Sequence, residues 1–375
     1  MIAMPRASVP QAVPAFEFSH ATLGRLPRVR IMELTLVISG LLDIAVSALA
    51  DADAGAPALA RLVDAAQSPA IDRDSNVAIA CSALGIARQR DWPVAAFLAR
   101  AAGIDPGAGY WLCAEPATFV VGQADVRLSG LVRDLGEPES SALLATLNAH
   151  FASDGVCFVA LEASRWLVGA DAEQALVTHP PDAVLGAPLL ALLPTGADAP
   201  RWRRWQSEMQ MMLFEHPVNR ARESAGRAPV NGVWLWGGGT PVAGSPPARI
   251  ATLHTDAWLP RELARGAGVA SASVPPSFDA LRGKDAVSPV LVWLDAPDAG
   301  EAERLAKWLA AVDRDWVRPA ANALNAGQIS RLDLALSGRA TTLRFSTQRL
   351  SFARRLRNWR AAPRLSALLA TALER

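Results

Sequence analysis

The sequence predicts an α/β fold in which strands alternate with helices along the chain. A β-branched run at residues 34–38 is followed by an Ala-rich stretch of helical character that extends to residue 66. A later run at residues 290–294 is apolar throughout, as is typical of a parallel strand that is buried on both faces. A long amphipathic stretch follows at residues 301–321. Strands and helices that alternate in this way favour helices packed on a sheet.

The other predicted elements lie between and after these segments. Helices are expected where apolar residues recur three and four positions apart, and strands where β-branched or aromatic residues form short runs. The predicted helices are residues 77–88, 94–102, 140–151 and 202–216, a helix from 217 that Gly226 closes, and a helix from 260. The predicted strands are residues 156–161, 166–168, 230–236, 332–336 and 341–345, one near 250, and paired strands around Pro116 within 109–121.

The composition is that of a globular chain without a strong charge bias. Hydrophobic residues make up 51% of the sequence and charged residues 19%. The formal net charge is +1, so neither nucleic acid nor an anionic membrane is expected as a partner. Three scattered cysteines are too few for a disulfide framework or a structural zinc site. The basic run at residues 352–364 is expected to be a solvated helix face, with contact to an acidic partner as the alternative.

The first 31 residues differ from the rest of the chain. They contain four prolines and four arginines and have no periodic apolar pattern. We expect residues 1–31 to be a flexible extension or a start-site artefact, because Met32 opens a strand-like run. The charged residues Glu33 and Asp43 interrupt the apolar stretch that follows, which disfavours both an export signal and a membrane span. A cytoplasmic protein is therefore expected.

The most distinctive segment is residues 215–239, EHPVNRARESAGRAPVNGVWLWGGG, which places several polar residues and a Gly run around one helix–strand turn. Arginine offers a bidentate fork to an anion, asparagine offers further donors, and glycine allows a ligand to approach the backbone. The segment predicts a pocket for a small anionic metabolite, formed by His216, Asn219, Arg222, Asn231, Gly237, Gly238 and Gly239. In this pocket His216 and Arg222 would contact the anion, and Asn219 and Asn231 would orient it.

A purely structural role for the same residues is the alternative. Asn219 and Asn231 can tie the turn together, Arg222 can lie at the surface, and the glycines can simply bend the chain. A Gly-rich loop that cradles phosphate normally leads into a helix N-terminus, whereas here Thr240 and Pro241 begin further loop. The residues alone leave both interpretations open.

The segment WQSEMQMMLFEHPVNRARESAGRAPVNGVWLWGGG resembles the RpfE-type regulatory proteins of proteobacteria. These proteins are in turn similar to the archaeal-type, cofactor-independent phosphoglycerate mutases of the alkaline phosphatase superfamily. YWLCAEPATF at 110–119, LNAHFASDG at 147–155 and RWLV at 165–168 support the resemblance. It implies a degenerate alkaline-phosphatase-like core at residues 32–108 and 251–375, with an inserted, substrate-side-like α+β domain at residues 109–250.

The chain departs from the mutase pattern at the positions that the resemblance assigns to metal binding. Ser39 stands where the pattern has an Asp at the end of the first strand. Asp295 and Asp298 follow the later buried strand without the expected His, and Asp333 also lacks a following His. No clear counterpart of the Ser nucleophile is found. Two carboxylates cannot hold a pair of cations for phosphoryl transfer, so the resemblance implies no catalytic residues, no metal and no cofactor.

Three functions follow from these observations. The preferred one is a catalytically degenerate protein with a regulatory or ligand-sensing role, which binds a small anionic metabolite or a protein partner. The second is an active metal-dependent phosphomutase or phosphatase with relocated metal ligands, which would have to converge on one ion. The candidate ligands are Asp43, His254, Asp295 and Asp298. The third is a protein–protein interaction module, because exposed tryptophans form binding hot spots and the chain has twelve. Most are nevertheless expected in the core, since several lie in predicted strands, namely Trp111, Trp166, Trp234 and Trp293.

Overall fold

The computed structural model describes residues 32–65, 70–72, 75–122, 126–185, 187–241, 247–282, 288–297, 302–339, 341–347 and 363–373. These residues belong to one compact unit and form a seven-stranded and a five-stranded sheet with helices packed against both. The predicted α/β class is therefore confirmed. The expectations for residues 1–31 and for most of the basic run lie outside the described residues, and the predicted domain boundaries stay a prediction.

The strands are, in chain order, β1 (Met32–Ser39), β2 (Ala70–Asp72), β3 (Tyr110–Val121), β4 (Val126–Leu131), β5 (Val156–Glu162), β6 (Arg165–Ala170), β7 (Gly232–Gly239), β8 (Thr252–Thr255), β9 (Ala270–Ala272), β10 (Val290–Asp295), β11 (Ile329–Ser337) and β12 (Thr342–Thr347). The α-helices are α1 (Val46–Ala52), α2 (Pro57–Ala65), α3 (Asn76–Ala83), α4 (Val94–Ala101), α5 (Glu137–Phe151), α6 (Pro181–Val184), α7 (Ala199–Phe214), α8 (Pro217–Ser224), α9 (Trp258–Ala267), α10 (Phe278–Arg282), α11 (Ala302–Val312), α12 (Arg318–Ala326) and α13 (Leu365–Leu373).

The seven-stranded sheet has the order β2-β12-β11-β1-β10-β8-β9. The strands from β11 to β9 are parallel to one another, and β12 and β2 are added antiparallel at one edge. One face buries alternate leucines of β1 beneath a helical layer that includes α1, α2, α11 and α12. The other face buries Val37, Leu291 and Trp293 beneath α3, α4 and α9. Both faces of the centre of the sheet are thus covered, as its apolar strands predicted.

The five-stranded sheet is antiparallel and is formed by the strands between β2 and β8. β3 pairs along one side with β7 and along the other with β6 and then β4. One face packs on α5 and α7 through a cluster that includes Phe151, Trp166 and Trp202. The opposite face shares an apolar cluster with α3, α4 and α9 of the first sheet. The two sheets are therefore joined through one buried layer.

The predicted break at Pro116 is wrong, because β3 continues through it as one strand of 12 residues. Along one side, β3 pairs with β6 as far as Ala114 and with β4 from Ala117 onward. Pro116 falls in the gap between these ladders, where its missing N–H costs no hydrogen bond in either. The hairpins of β5 with β6 and of β11 with β12 are confirmed.

The tryptophans that were expected in strands are mostly in the core. Trp166, Trp234 and Trp293 are buried, and Trp111 is half-buried. None of the described helices is both long and apolar enough to cross a lipid bilayer.

We predict that Gly266→Ala destabilises the protein although alanine is the better helix former. A Cβ at this position in α9 would overlap the carbonyl oxygen of Phe97 in α4. The overlap should lower the free energy of unfolding by about 1 to 3 kcal/mol, measured by denaturant titration. Gly130→Ala is the matched control, since a Cβ there would meet open space and should change stability by less than about 0.5 kcal/mol. Equal stability of the two variants would contradict this account of the contact between α4 and α9.

Candidate functional site

His216 caps helix α8 and uses both ring nitrogens. Its Nδ1 accepts a hydrogen bond from the Val218 N–H at 3.2 Å, and its Nε2 lies 3.1 Å from the hydroxyl of Thr146 in α5. Because Nδ1 is an acceptor, we assign the proton of the neutral ring to Nε2. Burial, followed by the positive charge of Arg220, holds the pKa of His216 below its ordinary value. The geometry therefore favours a neutral imidazole that is engaged with the protein.

The two asparagines of the segment are satisfied by backbone groups. The Asn219 Nδ2 donates to the carbonyls of Leu213 at 2.6 Å and Val230 at 2.8 Å, and its Oδ1 accepts from the Val230 N–H at 2.8 Å. The Asn231 amide makes a similar pair of bonds with the N–H and carbonyl of Phe119, at 2.7 and 2.9 Å. Asn219 thus connects the end of α7 to the residues that directly precede β7. Asn231, which is one of those residues, connects them to β3.

Arg222 is fully buried, and its guanidinium is surrounded by acceptors of the protein. Its Nε donates to the carbonyl of Ala228 at 2.8 Å, its Nη1 to Glu139 at 2.9 Å and its Nη2 to Asp134 at 2.6 Å. Glu139 also receives a hydrogen bond from Arg227. The three nitrogen atoms that an anion would have to reach are thus already donating.

Both carboxylates around Arg222 are ionised at neutral pH. The hydrogen bond from Arg222 is the main cause that lowers the pKa of Asp134. For Glu139, burial alone would raise the pKa, but the N–H of Gly136 and the charges of Arg222 and Arg227 outweigh it and the pKa is lowered. The charge of Arg222 is therefore neutralised inside the protein, as a buried charge requires.

The glycines at residues 237–239 are the buried end of β7 rather than a loop. A Cβ at Gly237 would lie 2.9 Å from the Cβ of Val94, and one on the last of the three would lie 2.5 Å from Pro93. A Cβ on the middle glycine would overlap the hydroxyl of Tyr110. The absence of side chains thus lets β7 pack closely on α4 and β3.

The structure does not bring the predicted pocket residues together, because Asn231 precedes the start of β7 and the three glycines form its other end, about 20 Å along the strand. The contacts of these residues favour the structural alternative. Asn219 and Asn231 tie the turn together as that alternative proposed. The part of it that placed Arg222 at the surface is wrong, because the side chain is fully buried. The anion pocket itself stays a prediction.

A second candidate region lies at the carboxyl ends of the parallel strands, where ligand sites of open α/β sheets usually form. Ser39 ends β1 directly opposite Asp295, which ends β10. Thr255 ends the neighbouring β8, and Ser337 ends β11. The two-residue alternation of strands places these four side chains on one face of the sheet. This row consists of three buried hydroxyl residues and one exposed carboxylate.

Two members of this row hydrogen-bond to neighbouring side chains. The Ser337 hydroxyl donates to the Asn76 Oδ1 at 2.6 Å. The carboxylate of Asp295 accepts a hydrogen bond from the Trp293 Nε1 at 2.8 Å. The carboxylate is exposed and keeps further capacity to accept hydrogen bonds.

The structure does not bring His254 to Asp295. His254 precedes Thr255 in β8, so the alternation of the strand places it on the opposite face of the sheet. There the imidazole is buried, and its Nδ1 lies 3.2 Å from the carbonyl oxygen of Ser273. Among the described residues, no three His, Cys, Asp or Glu side chains are grouped so that they could hold a metal ion.

Asp43, the next of the relocated ligands, lies in the turn that follows β1. Its carboxylate accepts a hydrogen bond from the Arg339 N–H at 2.7 Å. Asp182 of α6 lies near enough that the Asp43 charge adds to burial, the main cause, in raising the pKa of Asp182. Sequence reasoning missed Asp182, which stands in a Pro/Gly-rich link without periodicity. Asp298 lies outside the described residues.

One side of the carboxyl-end region is connected to the second sheet by Trp258, the first residue of α9. The indole Nε1 donates to the Glu162 carboxylate at 2.7 Å, and the guanidinium of Arg165 lies 4.2 Å from the centre of the ring. Arg165 and Glu162 also form an ion pair at 2.5 Å. The hairpin of β5 and β6 is thereby fastened to the helix that follows β8.

Parts of the chain are similar to curated phosphoglycerate mutases, although no protein-family model matches it. The 2,3-bisphosphoglycerate-independent phosphoglycerate mutase of Methanothrix thermoacetophila is 43% identical over 63 residues, 17% of this chain and 16% of that protein. A probable enzyme of this name from Geobacter sulfurreducens is 33% identical over 96 residues, 24% of this chain and 23% of that protein. One from Methanosarcina mazei is 26% identical over 117 residues, 29% of this chain and 30% of that protein. The matched segments thus span less than a third of each relative, and they show distant homology to cofactor-independent phosphoglycerate mutases.

Two solved structures follow most of the chain at low identity. A cofactor-independent phosphoglycerate mutase from Thermoplasma acidophilum has a TM-score of 0.42 and 17% identity, and the alignment covers 85% of this chain and 90% of that one. The PH0037 protein from Pyrococcus horikoshii has a TM-score of 0.45 and 14% identity, and the alignment covers 85% of this chain and 88% of that one.

We predict that Arg222→Ala costs stability because it removes the donor of the Ala228 carbonyl and the cation that the Asp134 and Glu139 carboxylates share. The free energy of unfolding should fall by about 3 kcal/mol in denaturant titrations. Arg220→Ala, on the exposed side of the same helix, is the control and should change stability by less than about 0.5 kcal/mol. A loss of less than about 1 kcal/mol for Arg222→Ala would favour a ligand-binding role instead.

We predict that His216 makes the protein less stable in mild acid. Its pKa is lowered in the folded state, so the unfolded chain takes up the proton first and stability falls as the pH drops below the ordinary pKa of histidine. His216→Asn keeps a capping acceptor but does not titrate. Between about pH 7.5 and about pH 5.5, the wild type should lose more free energy of unfolding than this variant. Parallel pH profiles for the two proteins would contradict the assignment of a neutral ring.

Proposed function

We propose that this chain is a cytoplasmic, catalytically degenerate relative of the cofactor-independent phosphoglycerate mutases, of the RpfE-type regulatory kind. Its role is to sense a small ligand rather than to transfer a phosphoryl group. The observation that carries this proposal is the row at the carboxyl ends of β1, β8, β10 and β11. Three of its four side chains are the hydroxyls of Ser39, Thr255 and Ser337.

The row is poor in the groups that metal-assisted phosphoryl transfer needs. Divalent cations in such sites are held by carboxylates and imidazoles, and they neutralise charge on the transferring group. Asp295 is the only carboxylate of the row, and the imidazole of His254 lies on the other face of the sheet. These positions support a binding role over the alternative of an active phosphomutase or phosphatase with relocated ligands.

A protein-interaction role is a second candidate, favoured by an exposed apolar pair on α7. Met211 and Phe214 are 76% and 72% exposed, although the helix buries its other face in the core. Exposed aromatic and methionine side chains are common in protein interfaces. This surface is compatible with a regulatory protein that also binds a protein partner.

We predict that the wild-type chain shows no saturable binding of manganese or zinc at micromolar concentration in titration calorimetry. The Ser39→Asp variant adds a carboxylate beside Asp295, about 4.8 Å away across neighbouring strands, and should bind manganese at least about tenfold more tightly than the wild type. Mutase and phosphatase assays with manganese should give equal rates for the wild type and for Asp295→Ala. The proposal would be overturned by micromolar binding to the wild type that Asp295→Ala abolishes, together with metal-dependent turnover.

A further inference from the structure

A groove of about 570 Å³ lies on one face of the seven-stranded sheet, over the amino-terminal halves of β1 and β11. Its floor is formed by alternate residues of these strands and of β12, and α3 forms a wall. The volume lies within the range of about 300 to 1,000 Å³ that is usual for small-molecule sites. The groove is separate from the row at the carboxyl ends of the strands.

The floor of the groove is polar where a covered sheet would be apolar. Glu33 and Thr35 of β1 lie beside Arg331 and Asp333 of β11, each residue opposite its register partner. The intervening residues of β1 face the other side of the sheet and are buried and apolar, from Leu34 to Ile38. The charged and polar residues of the floor are not typical of a sheet face that packs beneath an apolar helix.

Polarity and exposure both decrease along β1 from Glu33 to Val37. Glu33 is exposed, Thr35 is half-buried and Val37 is fully buried. Near Val37 the lining is completed by Ile79 of α3 and by Leu291 of β10. A molecule in the groove would therefore meet charged groups at one end and apolar side chains at the other.

The charged groups of the groove carry one net positive charge. Arg249, Arg331 and Arg344 provide three cations, and Glu33 and Asp333 provide two carboxylates. Arg331 is paired with Asp333, with 3.0 Å between its Nε and a carboxylate oxygen. The exposed guanidinium of Arg249, on the wall, has no partner among the described residues. Arg249 is thus the cation best placed to take a ligand's negative charge.

We propose that this groove binds a small organic anion, a molecule with one carboxylate or phosphate group joined to an apolar body. Arg249 binds the anionic group through its bidentate fork. The apolar body lies toward Val37, Ile79 and Leu291. The inference deepens the proposed ligand-sensing role and rests on it, and it places the ligand away from the strand ends.

Titration calorimetry of the full chain with benzoate, phenyl phosphate and benzamide tests the proposal. Benzamide has nearly the shape of benzoate without its charge, and it should bind at least about tenfold more weakly. Arg249→Ala should weaken binding of the anionic probes by at least about tenfold. Arg304→Ala is the matched control, because it removes an exposed arginine of α11 on the other face of the sheet, and binding should be unchanged. Comparison of benzoate with phenyl phosphate shows which anionic group the groove prefers.

Equal binding of benzoate and benzamide would overturn the proposal, as would equal losses in Arg249→Ala and Arg304→Ala. Binding that appears only after residues 1–31 are removed would also overturn it, because the groove would then be reserved for the chain's own segment. Thermal unfolding of each variant checks that it is folded. The metal titration is independent of these outcomes, so failure of the groove and failure of the degenerate-enzyme proposal can be told apart.

Discussion

The pairing of β1 with β10 on one side and β11 on the other determines where the rest of the described chain can lie. These parallel ladders join residues 32–39 to segments more than half the chain away. Parallel neighbours need crossover connections, so helices must cover both faces of the sheet. The stretch between β2 and β8 does not enter this sheet and forms its own antiparallel one. Both the row at the strand ends and the groove are consequences of how β1 is placed.

β1 contributes to both candidate sites because Glu33, Thr35 and Ser39 share one face of the sheet and follow the strand from its amino end to its carboxyl end. Glu33 and Thr35 lie in the groove near its amino end, and Ser39 lies in the row at its carboxyl end. The carboxyl ends would suit phosphoryl transfer if they presented carboxylates and imidazoles. They hold instead three buried hydroxyls and the Asp295 carboxylate, and the proposed ligand-sensing role rests on this shortage of metal-binding groups.

The polar side chains of the predicted anion pocket are engaged with the protein itself. Arg222 is buried, and a buried charge without partners would cost several kcal/mol. Asp134, Glu139 and the Ala228 carbonyl meet that requirement. Asn219 and Asn231 are likewise engaged with backbone groups. In contrast, Arg249 is exposed, although the sequence around it predicted no binding site.

The sequence by itself determined the features that depend on local periodicity and composition. These include the α/β class, the hairpins of β5 with β6 and of β11 with β12, and the buried tryptophans in strands. Only the tertiary structure decided that β3 runs through Pro116 and that Arg222 is paired with carboxylates 83 and 88 residues away. It also decided that His254 and Asp295 lie on opposite faces of the sheet. Periodicity reports which way a side chain faces within its own element, whereas partners and shared faces depend on strand pairing across the whole chain.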